Sequence, residues 1–165
     1  MFEQGPRYSA RQPGLKDKDL MGLPWRMAMI CQEVGWWLRC DVIWSKPWGS
    51  SENAPDRPAR NHEYVFLLAK RQQSVKAHRT SYMREHRSVW TIAPRREKSG
   101  PAAFPDELVM RCMEATSDPG DLVLDPFGGS GTVLRVADAM DRECVSFDAA
   151  PVELLDQWSD GGRAR

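Results

Sequence analysis

The 165-residue sequence contains no adjacent prolines, no C-x-x-C pair and no long uninterrupted apolar run. A membrane-spanning helix needs about 20 consecutive apolar residues, and a signal peptide needs a shorter apolar core that the first residues do not have. We therefore expect an intracellular protein without a membrane span. The cysteines are few and far apart, without histidines at ligand spacing, which predicts reduced, mostly buried thiols rather than disulfides or a metal site: Cys31, Cys40, Cys112 and Cys144.

The sequence has no excess of either charge, because its 23 basic and 23 acidic residues give a formal net charge of zero. This neutrality is a cancellation: residues 1–100 contain 18 Lys and Arg against 10 Asp and Glu, whereas residues 101–165 contain 5 against 13. The basic excess is concentrated in residues 57–98, with 11 basic and 3 acidic side chains and all three histidines. Charge alone leaves two interpretations open, a surface that faces a polyanion or an unevenly decorated solvated surface.

The first hundred residues predict a helix and three strands. Residues 1–18 are an irregular lead-in, and residues 19–34 have apolar side chains at helical spacing before Gly35. Residues 36–46 are rich in aromatic and β-branched side chains and predict a strand, followed by a long proline-containing loop. The near-continuous apolar run at residues 62–70 predicts a strand buried on both faces, and residues 89–92 predict a short strand.

The last third predicts a nucleotide-binding type of unit. We expect a helix over residues 105–115, a buried strand over 121–125, a helix over 132–140 and a strand over 143–147. The glycine-rich sequence PFGGSG lies between the first strand of this part and the helix that follows it. Strand, glycine turn, helix, strand and a following acidic residue form half of a βαβ nucleotide-binding unit. The expected fold class is therefore α/β with a mostly parallel sheet.

Three classes of ligand use a glycine turn between a strand and a helix, and the sequence separates them. A phosphate-binding P-loop needs a lysine after its last glycine, and none follows Gly131. A dinucleotide fingerprint starting at Gly129 is only partial, because Leu134 occupies the place of its third glycine. The S-adenosylmethionine loop, D-x-F-x-G-x-G, fits in register through four residues: Asp125, Phe127, Gly129 and Gly131.

Two carboxylates accompany this loop. In the S-adenosylmethionine interpretation Asp125 meets the amino group of the ligand, while the glycines let the backbone turn close to its amino-acid end. Asp148 lies 17 residues after Gly131, near the spacing at which such sites place a carboxylate on the ribose hydroxyls. Taken alone, Asp148 is more simply a strand-end aspartate that caps the following helix.

The sequence DLVLDPFGGSGTVLRVADAMDRECVSFD resembles the cofactor loop of the β-group DNA amino-methyltransferases, which make N6-methyladenine or N4-methylcytosine. Residues 18–70, the VWTI sequence and AAFPDELVMRC resemble further blocks of that family in the same order, over roughly residues 14–155. This resemblance implies a Rossmann-like S-adenosylmethionine methyltransferase sheet that is circularly permuted, with its catalytic half before its cofactor half. The implied partner is double-stranded DNA, in the cytoplasm of a prokaryotic or phage-infected cell.

The resemblance also implies site residues. Asp125, Pro126, Phe127, Gly129, Gly131 and Thr132 would form the cofactor loop, and Asp148 would hold the ribose. The methionine end of the cofactor would be lined by Ala103, Phe104 and Pro105. The basic segment would face DNA through Arg57, Arg60, His62 and Lys70. We expect Trp25, Trp36, Trp37 and Trp44 to pack in the core rather than to stack on bases.

The catalytic motif of the family, D/S/N-P-P-Y/F/W, is absent, since the sequence contains no Pro-Pro pair. No catalytic residue is therefore predicted, and we expect a chain truncated at its N-terminus that lacks the central catalytic strand. On this interpretation residues 19–160 are a partial methyltransferase domain, in which 19–98 remain from the catalytic, DNA-facing half and 99–160 bind the cofactor. A missing N-terminal fragment or a homodimer partner would complete it. The alternatives are a non-enzymatic DNA-binding or decayed remnant and, from another class, a nicotinamide-dependent oxidoreductase.

Overall fold

The structure is a computed structural model that describes residues 15–16, 19–48, 55–72, 85–95 and 104–149. The described elements, in chain order, are α1 (Leu23–Glu33), β1 (Trp37–Ser45), β2 (His62–Ala69), β3 (Val89–Thr91), α2 (Asp106–Thr116), β4 (Leu122–Asp125), α3 (Thr132–Ala139) and β5 (Glu143–Ser146). Each corresponds to a predicted helix or strand. Most of the lead-in 1–18, Ala103 and everything after residue 149 lie outside the described residues.

The strands form two sheets. The first has the order β2-β1-β3, in which β1 is antiparallel to β2 and parallel to β3. The second contains β4 and β5, which are parallel and joined through α3, as the βαβ pattern predicts. Two of the three strand pairings are therefore parallel, and the fold is α/β.

Helix α2 packs against both sheets. Its Leu108 belongs to an apolar cluster with Trp44, Trp90 and Ile92 of the first sheet and the segment that follows it. Val109 and Met113, also on α2, pack in a second cluster with α3 residues Val136 and Ala137, and Val123 and Cys144 of the second sheet lie against that cluster. The apolar stripe of one helix therefore holds the two sheets side by side.

The predicted burial of two strands was wrong within the described part of the chain. In β2 only Ala69 is buried and most of the other residues are half-buried, because among the described residues this strand is paired along one edge alone. The ring of Trp25 in α1 partly covers its Tyr64 and Phe66. In β4, Leu122 and Leu124 are each 64% exposed, while Val123 faces the helices. A continuous apolar run identifies a strand but does not show whether both of its faces are covered.

Core packing was predicted for four tryptophans, and it holds fully only for Trp44. Trp44 is buried and its Nε1 donates a hydrogen bond to the Ile92 carbonyl at 2.9 Å. Trp25 is half-buried, with its ring edge-on to two aromatic rings of β2. The prediction was wrong for Trp36 and Trp37, which are exposed at the start of β1.

The cysteines are free thiols, but each is half-buried, so the prediction of mostly buried side chains was too strong. Burial raises the pKa of the Cys112 thiol to about 11, which keeps it protonated on the inner side of α2. Within the described ranges no helix is long and apolar enough to cross a membrane. The same part of the chain contains no cluster of three potential metal ligands.

Candidate cofactor site

The site begins at the carboxyl end of β4, where Asp125 is buried against the glycine loop. Its Oδ1 accepts a hydrogen bond from the Phe127 N–H at 3.1 Å. Its Oδ2 is buried and has no hydrogen-bond partner among the described residues. A buried carboxylate oxygen without a donor is costly to maintain, so this atom is a natural acceptor for the amino group of a ligand.

The glycine loop is held against the end of β5 by backbone contacts. The Phe147 N–H donates to the Asp125 carbonyl at 2.8 Å, and the Gly128 N–H donates to the Phe147 carbonyl at 2.7 Å. Gly129 and Gly131 have φ angles of +49° and +73°, in the left-handed region where side chains are strained. A Cβ on Gly128 would lie 2.1 Å from the Oγ of the last β5 residue, Ser146. The loop therefore needs its glycines for both conformation and close approach.

Asp148 completes this arrangement from the residues that follow β5. Its Oδ2 accepts a hydrogen bond from the Gly129 N–H at 2.7 Å. The structure therefore brings Asp148, Asp125 and the glycine loop together at the carboxyl ends of two parallel strands, where α/β sheets bind ligands. The Asp148 carboxylate here bonds the loop backbone, and its contact with the ribose hydroxyls stays a prediction.

The other predicted cofactor residues fall into three environments. Thr132 is the buried first residue of α3, and its hydroxyl lies 3.2 Å from Ser130 Oγ. Phe127 is 85% exposed at the tip of the loop, where it follows Pro126. Phe104 lies just before α2, is 40% exposed and lines an apolar cavity of 380 Å³ between α2 and strands β1, β2 and β4. Pro105 is the N-terminal cap residue of α2.

A charged pair that the sequence interpretation did not include connects these environments. Arg135 of α3 makes two hydrogen bonds to the Asp106 carboxylate at the start of α2, from Nη1 to Oδ2 at 2.6 Å and from Nη2 to Oδ1. These bonds hold the pKa of Asp106 below its ordinary value. The two residues lie 29 residues apart in the chain, so their spacing does not indicate a pair. The available signal was their position beside the predicted cofactor segments, because Asp106 directly follows A-x-F-P and Arg135 lies four residues after Gly131.

The four residues predicted to face DNA do not form one cluster. Arg57 and Arg60 line a cavity of 580 Å³ at the start of α1, which Tyr64 of β2 also lines. His62 begins β2, and its ring lies 5.5 Å from that of Tyr64. Lys70 follows the other end of β2, with its Nζ 5.6 Å from the centre of a tryptophan ring at the start of β1. At about 3.4 Å per residue, an eight-residue strand places Lys70 roughly 27 Å from His62.

Comparison with known proteins finds a matching family model and similar sequences. A family model described as DNA methylase, of the N6/N4 methyltransferase group, matches residues 4–154. The chain is 42% identical over 146 residues to the Type II methyltransferase M.Cfr9I of Citrobacter freundii, covering 84% of this chain and 49% of that protein. It is also 42% identical over 175 residues to the Type II methyltransferase M.SmaI of Serratia marcescens, covering 98% and 58%. The chain thus spans about half the length of these curated relatives.

Solved structures with a similar fold are methyltransferases as well. The PvuII DNA methyltransferase (cytosine-N4-specific) superposes with a TM-score of 0.66 at 23% identity, covering 86% of this chain and 57% of that chain. The M1.HpyAVI–SAM complex superposes with a TM-score of 0.64 at 19% identity, covering 80% and 66%. The DNA modification methylase TTHA0409 from Thermus thermophilus, complexed with S-adenosyl-L-methionine, has a TM-score of 0.58 at 26% identity, covering 78% and 54%.

The contact between Gly128 and Ser146 gives a direct test of the loop geometry. We expect Gly128→Ala to lower the free energy of unfolding by about 1–3 kcal/mol, the usual cost of an added methyl in a packed site. Gly128 does not have a positive φ, so the cost comes from the steric contact alone. Ser146→Ala removes the Oγ, and the double variant should regain most of the loss. Chemical denaturation measures all three variants, and wild-type stability in Gly128→Ala would contradict the close approach.

Proposed function

This chain belongs to the N6/N4 DNA methylase family, and on that premise we propose that it is the cofactor-binding and DNA-facing part of a DNA amino-methyltransferase. The reaction moves a methyl group from S-adenosylmethionine to the exocyclic amino group of adenine (N6) or cytosine (N4) in DNA. The observation that carries the proposal is the buried Asp125 Oδ2, which has no hydrogen-bond partner among the described residues, beside a loop whose positive φ angles and close approach favour glycine. We propose that the protein acts on DNA in the cytoplasm of a prokaryotic or phage-infected cell.

S-adenosylmethionine fits the residues of this site. Asp125 would accept a hydrogen bond from its amino group, and Asp148 would exchange its bond to the Gly129 N–H for the ribose hydroxyls. When bound, the cofactor supplies the activated methyl group, and the protein side chains orient it and shield it from water. The remaining residues proposed around the cofactor are those of the loop and those at its methionine end: Pro126, Phe127, Gly129, Gly131 and Thr132, with Ala103, Phe104 and Pro105.

Replacement of Asp125 tests the cofactor proposal. We expect Asp125→Asn to weaken binding of S-adenosylmethionine by about tenfold or more, because a hydrogen bond to a charged group contributes about 1.5–3 kcal/mol and 1.4 kcal/mol is a factor of ten. Asp138→Asn makes the same chemical change on the exposed face of α3 and serves as the matched control. Isothermal titration calorimetry of the full chain measures both.

Two results would count against this assignment. One is a wild-type chain that does not bind S-adenosylmethionine, and the other is an Asp125→Asn variant that binds it as tightly as wild type does. Titration with a nicotinamide dinucleotide in place of S-adenosylmethionine distinguishes the oxidoreductase alternative. Binding of that ligand alone would replace the proposal by a dehydrogenase.

DNA contact is proposed for Arg57, Arg60, His62 and Lys70. The strongest support is the cavity at the start of α1, where two arginine side chains lie beside two aromatic ones. Arginine side chains on phosphates supply a salt-dependent affinity that does not depend on sequence. Lys70, at the far end of β2, would contact a different stretch of the duplex. The target base would have to leave the helix, because its exocyclic nitrogen is not accessible within the stack.

The salt dependence of DNA binding tests these arginines. Removal of one phosphate contact should lower the slope of log K against log salt by about 0.9. We therefore expect Arg57→Gln/Arg60→Gln to lower it by about 1.8. Arg39→Gln, on the exposed side of β1, is the control and should leave the slope unchanged. Fluorescence anisotropy with a duplex oligonucleotide at several salt concentrations gives the slopes. Equal effects in the double variant and in Arg39→Gln would show only a loss of general charge.

A further strand beside β4 is the third part of the proposal. Among the described residues β4 pairs with β5 on one edge only. Next to it lies the apolar cavity of 380 Å³, bounded by Trp44, Leu108 and Val123. We propose that a strand carrying the D/S/N-P-P-Y/F/W motif pairs along the second edge of β4 and fills this cavity. With it, the sheet would be a circularly permuted Rossmann-like sheet, because the β1–β3 part precedes the cofactor part in the chain.

Methyl transfer distinguishes an enzyme from a DNA-binding remnant. We expect the 165-residue chain alone to transfer no labelled methyl group to DNA, since it lacks the motif that accepts the hydrogens of the target amino group. Co-expression with a relative's fragment that carries the motif should restore transfer. The same fragment with its motif aromatic changed to Ala is the control.

The result identifies which component was missing. Methyl transfer by the chain alone would contradict the need for an added fragment that carries the motif. Failure of the combination to transfer methyl groups, with the fragment bound, would favour the non-enzymatic remnant over the enzyme. Transfer by the chain alone that is confined to its dimeric form would show that a second copy, rather than a fragment with the motif, completes the site.

A further inference from the structure

The geometry points to a positioning role for the Asp106–Arg135 pair: we propose that it sets the register between the Phe104–Pro105 segment and the glycine loop, so that cofactor affinity depends on it. This inference rests on the proposed function. Asp106 follows Pro105 directly in the chain. The backbone N–H of Arg135 donates a hydrogen bond to the backbone carbonyl of Gly131 at 3.0 Å. The pair therefore connects the two segments of the cofactor site through a short series of covalent and hydrogen-bonded links.

Apolar packing alone does not fix this register. Helices α2 and α3 contact each other through Val109, Met113, Val136 and Ala137. Such contacts are non-directional, so they hold two helices together while tolerating small sliding and rotation. A guanidinium that donates to both oxygens of one carboxylate is directional, because the fork fits in one orientation. The pair thus supplies a geometric constraint that the apolar cluster does not.

The pair is partly exposed to solvent, so its effect on cofactor binding can be distinguished from an effect on the stability of the fold. The Asp106 and Arg135 side chains are 43% and 37% exposed. Ion pairs with this much solvent contact contribute little to folding, commonly about 0–1 kcal/mol. Arg95, whose Nη1 lies 3.8 Å from Asp106 Oδ1, adds a second cation on the same carboxylate and joins the segment after β3 to it. Removal of the carboxylate should therefore disturb the positions of three segments while leaving the fold intact.

The test compares Asp106 with its sequence neighbour. Glu107 is in the same turn of α2 and forms an ion pair with Arg111 on that helix, at 2.6 Å. We expect Asp106→Asn to weaken S-adenosylmethionine binding by about fivefold, which corresponds to about 1 kcal/mol, the upper end of what such an exposed pair contributes. Glu107→Gln should change it by less than about twofold. Arg135→Lys, which keeps the charge without the fork, should lie between the two.

Calorimetric titration of the full chain with S-adenosylmethionine gives the affinities, and thermal unfolding gives the stabilities of the same samples. A positioning role requires a clear loss of affinity with similar melting temperatures in Asp106→Asn and Glu107→Gln. Equal affinities in these two variants, or a loss of melting temperature in Asp106→Asn without a loss of affinity, would overturn the inference. Wild-type protein that does not bind S-adenosylmethionine would instead overturn the proposed function, and this inference with it.

Discussion

The packing of α2 against two sheets at once is the interaction on which the rest of the structure depends. The described strands of the two sheets do not pair with each other, so the contacts of Leu108 on one side and of Val109 and Met113 on the other join them. Because Phe104 and Pro105 lead into this helix, the same packing positions the edge of the proposed cofactor site. The helix therefore joins the two sheets and also supports the proposed site.

The residues around the glycine loop were predictable from the sequence because their arrangement depends on spacing along the chain. The glycine loop, the strand before it and the acidic residue after β5 follow from residue types at fixed offsets. In the structure Asp148 accepts a hydrogen bond from the Gly129 N–H, and Asp125 bonds the backbone of Phe127 and Phe147. The limits of the helices and strands also agree with the hydrophobic pattern to within one residue, except that α1 begins at Leu23 rather than at residue 19. These features need no knowledge of how distant segments meet.

Long-range relations were not predictable in this way. Leu122 and Leu124 form an apolar strand pattern, but which neighbours cover them depends on other parts of the sheet. The Asp106–Arg135 pair joins residues of types that are common on any helix surface. The charge pattern gave the sign of the surface around residues 57–70, whereas only the structure separated the two arginines at one end of β2 from Lys70 at the other. Distance in space, rather than residue type, carries that information.

The space between Gly128 and Ser146 restricts how the two positions can change during evolution. Any side chain at position 128 must displace the Ser146 hydroxyl or the Phe147 carbonyl behind it, which lies 3.3 Å from the site of a Cβ. A side chain at position 128 is therefore accommodated at lower cost when position 146 carries a smaller residue, although the backbone carbonyl still limits its size. Changes at the two sites are energetically coupled, because the cost of a side chain at one depends on the size of the side chain at the other.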